Sequence, residues 1–288
     1  KHLVDYLQRA GGYAITGDTR EQVIFILHGT GANGKSTLLE VLSTILDDYS
    51  MRTPTETLLL KHGGSISNDV ARLKGARFVT AIEAEQGHRL AESMVKQMTG
   101  GERLVARFLH AEFFEFAPEF KIFLATNHKP EIIGTDYAIW RRIHLIPFNV
   151  TIPEKEQDKD LGAKLLNEAS GILSWAVRGC LQWQEQELDA PEEVLQATQS
   201  YRAEMDILAG FLDDFCVEDI NLTVPLGDLY KAYDQWCDDS GEKSMTKREF
   251  GMRMRERGFT QVRGTGGVRL WDGVGLQARP NQVTMGLN

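Results

Sequence analysis

Gly29-Thr30-Gly31-Ala32-Asn33-Gly34-Lys35-Ser36-Thr37 constrains this chain more tightly than any other segment. It follows the apolar run Val23-Ile24-Phe25-Ile26-Leu27, and after it Leu38, Leu39, Val41, Leu42, Ile45 and Leu46 recur at helical spacing. Strand, G-x-x-x-x-G-K-S loop and helix in that order make a phosphate-binding unit, because inward backbone N–H groups and the positive helix end converge on an anion. Lys35 is expected to reach the β- and γ-phosphates of a nucleoside triphosphate, and Ser36 to hold Mg2+. An ordinary glycine-rich turn would not need strand, spacing and helix to coincide.

The rest of the chain fits a sheet built around that unit. Residues 1–20 read as a short helix with turns at Gly11-Gly12 and Gly17-Asp18. Residues 76–82, 121–126 and 143–148 read as further strands. Strands alternating with helices predict a parallel α/β sheet covered on both faces. Residues 154–188 read as helical, with an apolar face of Leu161, Leu165, Leu166, Ile172, Leu173, Ala176, Val177, Leu181 and Trp183, and a hinge follows near Asp189-Ala190-Pro191. The expected boundaries are an ATPase core over 1–150, a helical extension over 151–204, a small domain over 205–276 and a tail over 277–288.

Composition sets limits on partners. The net charge of −9 argues against a generally basic DNA-coating protein but allows a locally basic pore or groove. Cys180, Cys216 and Cys237 lie too far apart for a metal or disulfide framework, so ordinary thiols in a reducing, cytoplasmic compartment are expected. No apolar run approaches the roughly 18 residues of a membrane span. The start lacks Met and a signal-peptide profile, which suggests a piece of a longer polypeptide.

Other polar residues fall where the ligands of such sheets bind. The second strand runs into Ile82-Glu83-Ala84-Glu85, so two carboxylates sit at its carboxyl end. One can orient Mg2+, with Glu83 the metal candidate, and the other can polarise the attacking water. Spacing does not say which does which, and solvated strand-end charges are the competing reading. Asn127, ending the third strand, can position that water or read the γ-phosphate. His128 beside it reads equally as a loop residue. Arg141 and Arg142 before the fourth strand are candidates for an arginine finger given to a neighbouring subunit's nucleotide, against surface ion pairing.

These motifs, with Gly11-Gly12-Tyr13-Ala14-Ile15-Thr16-Gly17-Asp18, Lys96-Gln97-Met98-Thr99-Gly100-Gly101-Glu102, Ala106-Arg107-Phe108-Leu109, Ala125-Thr126-Asn127-His128-Lys129-Pro130 and Ile139-Trp140-Arg141-Arg142-Ile143, resemble the superfamily 3 helicase domain of phage and plasmid primase-helicases, the group similar to the poxvirus D5 protein. The resemblance covers residues 1–150, more weakly to about 185. It implies a modified AAA+ P-loop ATPase using ATP and Mg2+. Glu83/Glu85 fall in the Walker B position, Asn127 in sensor 1, and Arg141 or Arg142 in the trans-acting finger. It further implies a hexameric ring moving 3′ to 5′ on single-stranded DNA at forked duplexes, an upstream primase module, and the bacterial host cytoplasm if the protein is phage-encoded. Ala84 departs from the adjacent acidic pair of many Walker B elements.

Residues 104–109 and 113–116 are two β-prone stretches three residues apart, which suggests a hairpin. The resemblance implies a pore hairpin gripping DNA, with Lys96, Arg103, Arg107 and His110 as its candidate contacts, while Phe108, Phe113, Phe114 and Phe116 read as core. At the C-terminal end, charge splits: residues 204–239 hold ten acidic groups against Lys231 alone, and residues 241–270 hold eight basic groups against three acidic ones. Helices over 205–215 and 225–236, a third capped by Thr246 and Glu249, and strands over 259–263 and 267–271 suggest a winged-helix domain. Lys247, Arg248, Arg253, Arg255, Arg257 and Arg263 can meet duplex phosphates; the competing reading is contact with protein, including the acidic stretch of a neighbouring subunit. The function expected is an ATP-dependent replicative DNA helicase. The alternatives are an initiator or loader without processive unwinding, a small-molecule kinase, and an ATP-controlled assembly scaffold.

Overall fold

The strand before the phosphate loop organises the N-terminal half. In the computed structural model, which describes residues 2–60, 68–82 and 87–277, four of its five residues are buried. A strand buried on both faces needs a neighbour at each edge and helices above and below. The first unit, residues 1–205, meets this with α1 (His2–Ala14), β1 (Ile24–His28), α2 (Lys35–Leu46), β2 (Ser50–Arg52), α3 (Asn68–Ala71), β3 (Phe78–Ile82), α4 (Glu92–Thr99), β4 (Leu104–Ala106), β5 (Phe114–Phe116), β6 (Lys121–Thr126), α5 (Tyr137–Trp140), β7 (Ile143–Pro147), α6 (Leu161–Asn167), α7 (Ala169–Gln186) and α8 (Glu192–Met205).

The central sheet has the order β2-β3-β6-β1-β7, all parallel, with β1 between β6 and β7. Ile24 stands opposite both Ile122 and Ile143, His28 opposite Thr126, and Ile82 opposite Ala125. β1, β3 and β6 therefore finish at one edge of the sheet, where Gly29 and Asn127 leave it. Glu83 and Glu85 follow Ile82 in sequence and lie outside the described residues. One face of the sheet buries Ile24, Ile26, Val79, Ile122 and Leu124; the other buries Phe25, Phe78 and Phe123, with Phe25 and Phe123 stacked at 4.5 Å between ring centroids.

Three local expectations change. Gly11-Gly12 is no turn: α1 runs through it to Ala14 and packs on α7. A Cβ on Gly12 would lie 2.0 Å from the backbone nitrogen of Cys180, so glycine here permits backbone contact between helices. The helical stretch 154–188 breaks at Glu168, between α6 and α7, and Gly171 sits inside α7. Its expected apolar face is largely outward, since Leu161, Leu166, Leu173, Val177 and Leu181 are exposed while Ala176 and Trp183 are buried. β2, three residues long and only half-buried, carries no sequence signal of its own.

Buried polar contacts tie α1 to the sheet edge. The Tyr6 hydroxyl meets Nδ1 of His144 on β7, and burial holds the tyrosine well above its usual pKa, so Tyr6 donates and a neutral imidazole accepts. Burial lowers His144 from 6.5 to about 4. As pH falls through 6.5 the unfolded chain takes up a proton that the folded chain refuses until about 4, so stability drops across that window. We expect a loss of about 3 kcal/mol between those limits, read by thermal unfolding against pH, and a flatter profile for His144→Gln, which keeps an acceptor for Tyr6.

The second unit, residues 206–288, contains α9 (Ile207–Phe215), β8 (Cys216–Pro225), α10 (Leu226–Ser240), α11 (Lys247–Glu256), β9 (Thr260–Arg263) and β10 (Arg269–Leu276). β8, β10 and β9 form an antiparallel sheet in that order, over a core including Phe211, Tyr233, Phe250, Met254 and Trp271. Thr246 caps α11 by accepting from the Glu249 amide at 3.3 Å. β8 lies between the two helices expected over 205–215 and 225–236, where no strand is expected from the sequence.

Candidate functional site

The phosphate loop starts from a close approach. A Cβ on Gly29 would lie 2.2 Å from the Phe148 carbonyl oxygen, so the first position must be glycine. Gly31, Ala32 and Gly34 all adopt positive φ (104°, 46° and 84°), which curls the backbone round before α2 begins. The strap after β7 braces the loop from outside: Asn33 Nδ2 donates to Phe148 O at 3.0 Å, and the Ile152 amide donates to Ala32 O at 2.7 Å.

Lys35 is buried at the first turn of α2, yet its ammonium reaches the sheet edge. It donates to Gly29 O at 2.7 Å, Asn33 Oδ1 at 3.0 Å and Asn127 Oδ1 at 3.2 Å. Loop lysine and strand-end amide thus meet across 92 residues of sequence. Burial pushes the Lys35 ammonium below the ordinary lysine range. Ser36 is exposed and Thr37 half-buried beside it. This fits a polyphosphate: curled backbone, a helix start, and a desolvated cation whose present partners are neutral oxygens that phosphate oxygens can replace.

Further contacts complete the surroundings. Thr126 fixes the bend around Asn127, its hydroxyl donating to His128 O at 2.6 Å and accepting from the His128 amide at 3.1 Å. Lys129 is paired with Glu204 at 2.6 Å, and the Tyr201 hydroxyl donates to Pro130 O, so the last turn of α8 holds this loop. Burial, then the nearby Lys129 and Lys35, lower the pKa of His28. The Lys129–Glu204 and Tyr201–Pro130 links join positions more than 70 residues apart, and no local pattern signals the pairing.

The two adjacent arginines separate. Arg142 is buried, with Nε donating to Thr99 Oγ1 at 3.1 Å and Nη1 to Ala138 O at 2.5 Å. Arg141 is exposed and donates to Gln22 Oε1 at 2.5 Å. Only Arg141 is free to reach another molecule.

The hairpin exists as β4 paired antiparallel with β5, Leu104 opposite Phe116, and seven residues intervene rather than three. His110 stands at the turn with φ 61°. Of the aromatics expected in the core, Phe116 is buried but Phe108 and Phe113 are 45% and 54% exposed, and the Arg107 guanidinium lies 4.9 Å from the Phe113 ring centroid. Lys96 is paired with Asp136 at 3.0 Å, and Arg103 with Glu115 at 3.3 Å. Among the four predicted contacts, Arg107 and His110 have no carboxylate partner among the described residues.

In the second unit, Arg253 is buried, which removes it from the expected phosphate-facing set: it points to the inner side of α11 with Phe250 and Met254. Arg257 is engaged by the Asp206 carboxylate. Lys247, Arg248, Arg255 and Arg263 remain exposed.

The chain is similar to known proteins. The poxvirus D5 protein-like family matches residues 203–262, and a family of unknown function, DUF5906, matches residues 27–142. A protein named as a helicase, L207/L206 of Acanthamoeba polyphaga mimivirus, is 29% identical over 257 residues, covering 82% of this chain and 27% of the relative. The chain is a homologue of the superfamily 3 primase-helicases. A second relative named as a helicase, 022R of Frog virus 3, is 26% identical over 267 residues, covering 85% of this chain and 27% of its own length. This helicase homologue therefore spans about a quarter of the curated relatives it matches. The apo structure of the NrS-1 C-terminal region shares the fold at a TM-score of 0.51, with 14% identity, 88% of this chain and 67% of that one covered. No described helix of the homologue is long and apolar enough to cross a membrane.

Proposed function

We propose that this chain is the ATP-hydrolysing helicase module of a primase-helicase, working as a ring, a hexamer by family resemblance, that moves 3′ to 5′ on single-stranded DNA at forked duplexes. The observation that carries the reading is the meeting of Lys35 and Asn127 at the carboxyl edge of the sheet, 3.2 Å apart. ATP enters with its phosphates on the curled loop, and Lys35 exchanges its three neutral oxygens for phosphate oxygens. Asn127, released from Lys35, is then free to orient the attacking water. Mg2+, held by Ser36 and Glu83, would screen the charge on the β- and γ-phosphates. Glu85 or Glu83 polarises the water, and Arg141 extends to a neighbouring copy's γ-phosphate. Arg107 and His110 on the hairpin contact the strand's phosphates, and the exposed Phe113 gives a face for a base. The second unit, with three helices followed by a β-hairpin, fits a winged helix.

The test is Mg2+- and ATP-dependent strand separation on duplexes with a 3′ or a 5′ tail. Unwinding from the 3′ tail alone supports the reading. DNA-stimulated hydrolysis without strand separation replaces it with an initiator or loader.

A further inference from the structure

The second unit carries a hollow of about 300 Å3 between α10, α11 and the β9–β10 hairpin, and the ATPase reading does not use it. Four cations line it, Lys247, Arg248, Arg255 and Arg269, and no carboxylate pairs with any of them among the described residues. Arg257, two residues beyond Arg255, is by contrast engaged by Asp206. Between the cations the lining is apolar, with Leu226, Gly227 and the half-buried Tyr230 lying over the buried Phe250 and Trp271. Unpaired charge around an apolar floor calls for a ligand that is anionic at its edges and apolar at its centre.

A nucleotide answers only half of that description. Stacking needs an open ring face, but Trp271 and Phe250 are only 1% and 2% exposed, and the Lys247 ammonium already lies 5.3 Å from the Tyr230 ring centroid. A compact aliphatic side chain flanked by carboxylates fits both parts.

This chain presents such a group on its own surface. Along β8, Thr223 pairs with Asp272 but Glu218 pairs with Val274, so four residues of β8 face the single Gly273 and are looped outward. Asp219 Oδ1 holds the loop by accepting from the Asn221 backbone amide at 2.8 Å and its side-chain amide at 3.0 Å. At the apex Ile220 is 85% exposed, between Glu218 and Asp219 on one side and Asn221 on the other. Exposed as it is, Ile220 does not fill the hollow of its own chain.

We propose that the Glu218-Asp219-Ile220-Asn221 loop of one copy plugs the basic hollow of a second copy, with Ile220 against the apolar lining of Leu226, Gly227 and Tyr230 and the carboxylates between Lys247, Arg248, Arg255 and Arg269. The two surfaces differ, so the contact is head-to-tail and each copy can pass it to the next. It is independent of the nucleotide site and adds a second point of association.

The full chain tests this in nucleotide-free buffer by sedimentation. Wild type is expected to associate reversibly, less so as salt rises. Glu218→Lys/Ile220→Lys, which spares the Asp219 turn, and Arg248→Glu/Arg255→Glu should each associate about tenfold more weakly or worse. An equimolar mixture of the two variants should recover association, because the reversed loop meets the reversed hollow. Unfolding curves matching wild type establish that each variant is folded. Wild type that stays monomeric, a variant that associates normally, or a mixture that fails to recover overturns the proposal. So does loss of labelled tailed duplex by Arg248→Glu/Arg255→Glu with association unchanged, which assigns the hollow to nucleic acid.

Discussion

Lys35→Ala is expected to lower ATP turnover by about a hundredfold or more, the scale for losing a preorganised cationic donor to a charged transition state. The reason lies in the present partners of the ammonium. Gly29 O, Asn33 Oδ1 and Asn127 Oδ1 are neutral acceptors at 2.7, 3.0 and 3.2 Å, so the cation is desolvated and aimed but not neutralised. Arriving phosphates find it already in position. The variant also frees Asn127, so its effect should exceed that of Asn127→Ala, and the two should be non-additive because they share one hydrogen bond. Burial has a cost: alanine leaves three oxygens without their donor, so a modest drop in thermal midpoint is expected. Lys35→Arg, which keeps the charge but replaces a compact ammonium with a planar fork, should retain the fold while still failing to turn over ATP. Hydrolysis by Lys35→Ala at a rate near wild type would remove the loop from the chemistry. Steady-state turnover with Mg2+ and ATP, beside an unfolding curve, reads both effects.

That site was legible because its signals are local. The apolar run into β1, the glycine spacing and the periodic residues of α2 each need only a few neighbours, and the parallel sheet follows from strands fully buried on both faces. Asn127 was legible for a similar reason, since a polar residue ending an apolar strand lands at the ligand edge. What escaped depends on partners distant in sequence. Gly11-Gly12 has the composition of a turn, and only the backbone of Cys180 pressed against Gly12 makes it a helix contact. The apolar residues of α6 and α7 obey helical spacing, but spacing cannot say that Leu173, Val177 and Leu181 face outward. Arg253 has the same chemistry as Arg255 two positions on; the α11 period alone turns one inward and the other out. Lys129 lies inside a recognisable motif, but nothing in that motif says that its partner is Glu204, 75 residues on.

The separation of Arg141 from Arg142 yields the sharpest contrast in the molecule. Arg142→Ala removes a guanidinium that is 7% exposed and holds Thr99 Oγ1 and Ala138 O, so it should act on stability. The buried Thr99 hydroxyl and the part-buried Ala138 carbonyl lose a charged donor, a loss of about 2–4 kcal/mol and a visible fall in thermal midpoint. Arg141→Ala removes an exposed side chain with one partner, Gln22, at 2.5 Å, and the midpoint should stay near wild type. If Arg141 completes a neighbouring copy's site, turnover falls by roughly a thousandfold, the scale of a finger supplied in trans. Because donor and acceptor sit on different copies, the loss is recoverable: a Lys35→Ala copy keeps its Arg141, and an Arg141→Ala copy keeps its phosphate loop. Mixing the two inactive variants should then restore part of the hydrolysis, peaking near equal proportions, as one in every few interfaces joins an intact loop to an intact finger. A role within the same copy gives no recovery at any ratio. A stability role gives equal melting shifts for both arginines, which the burial difference between them argues against.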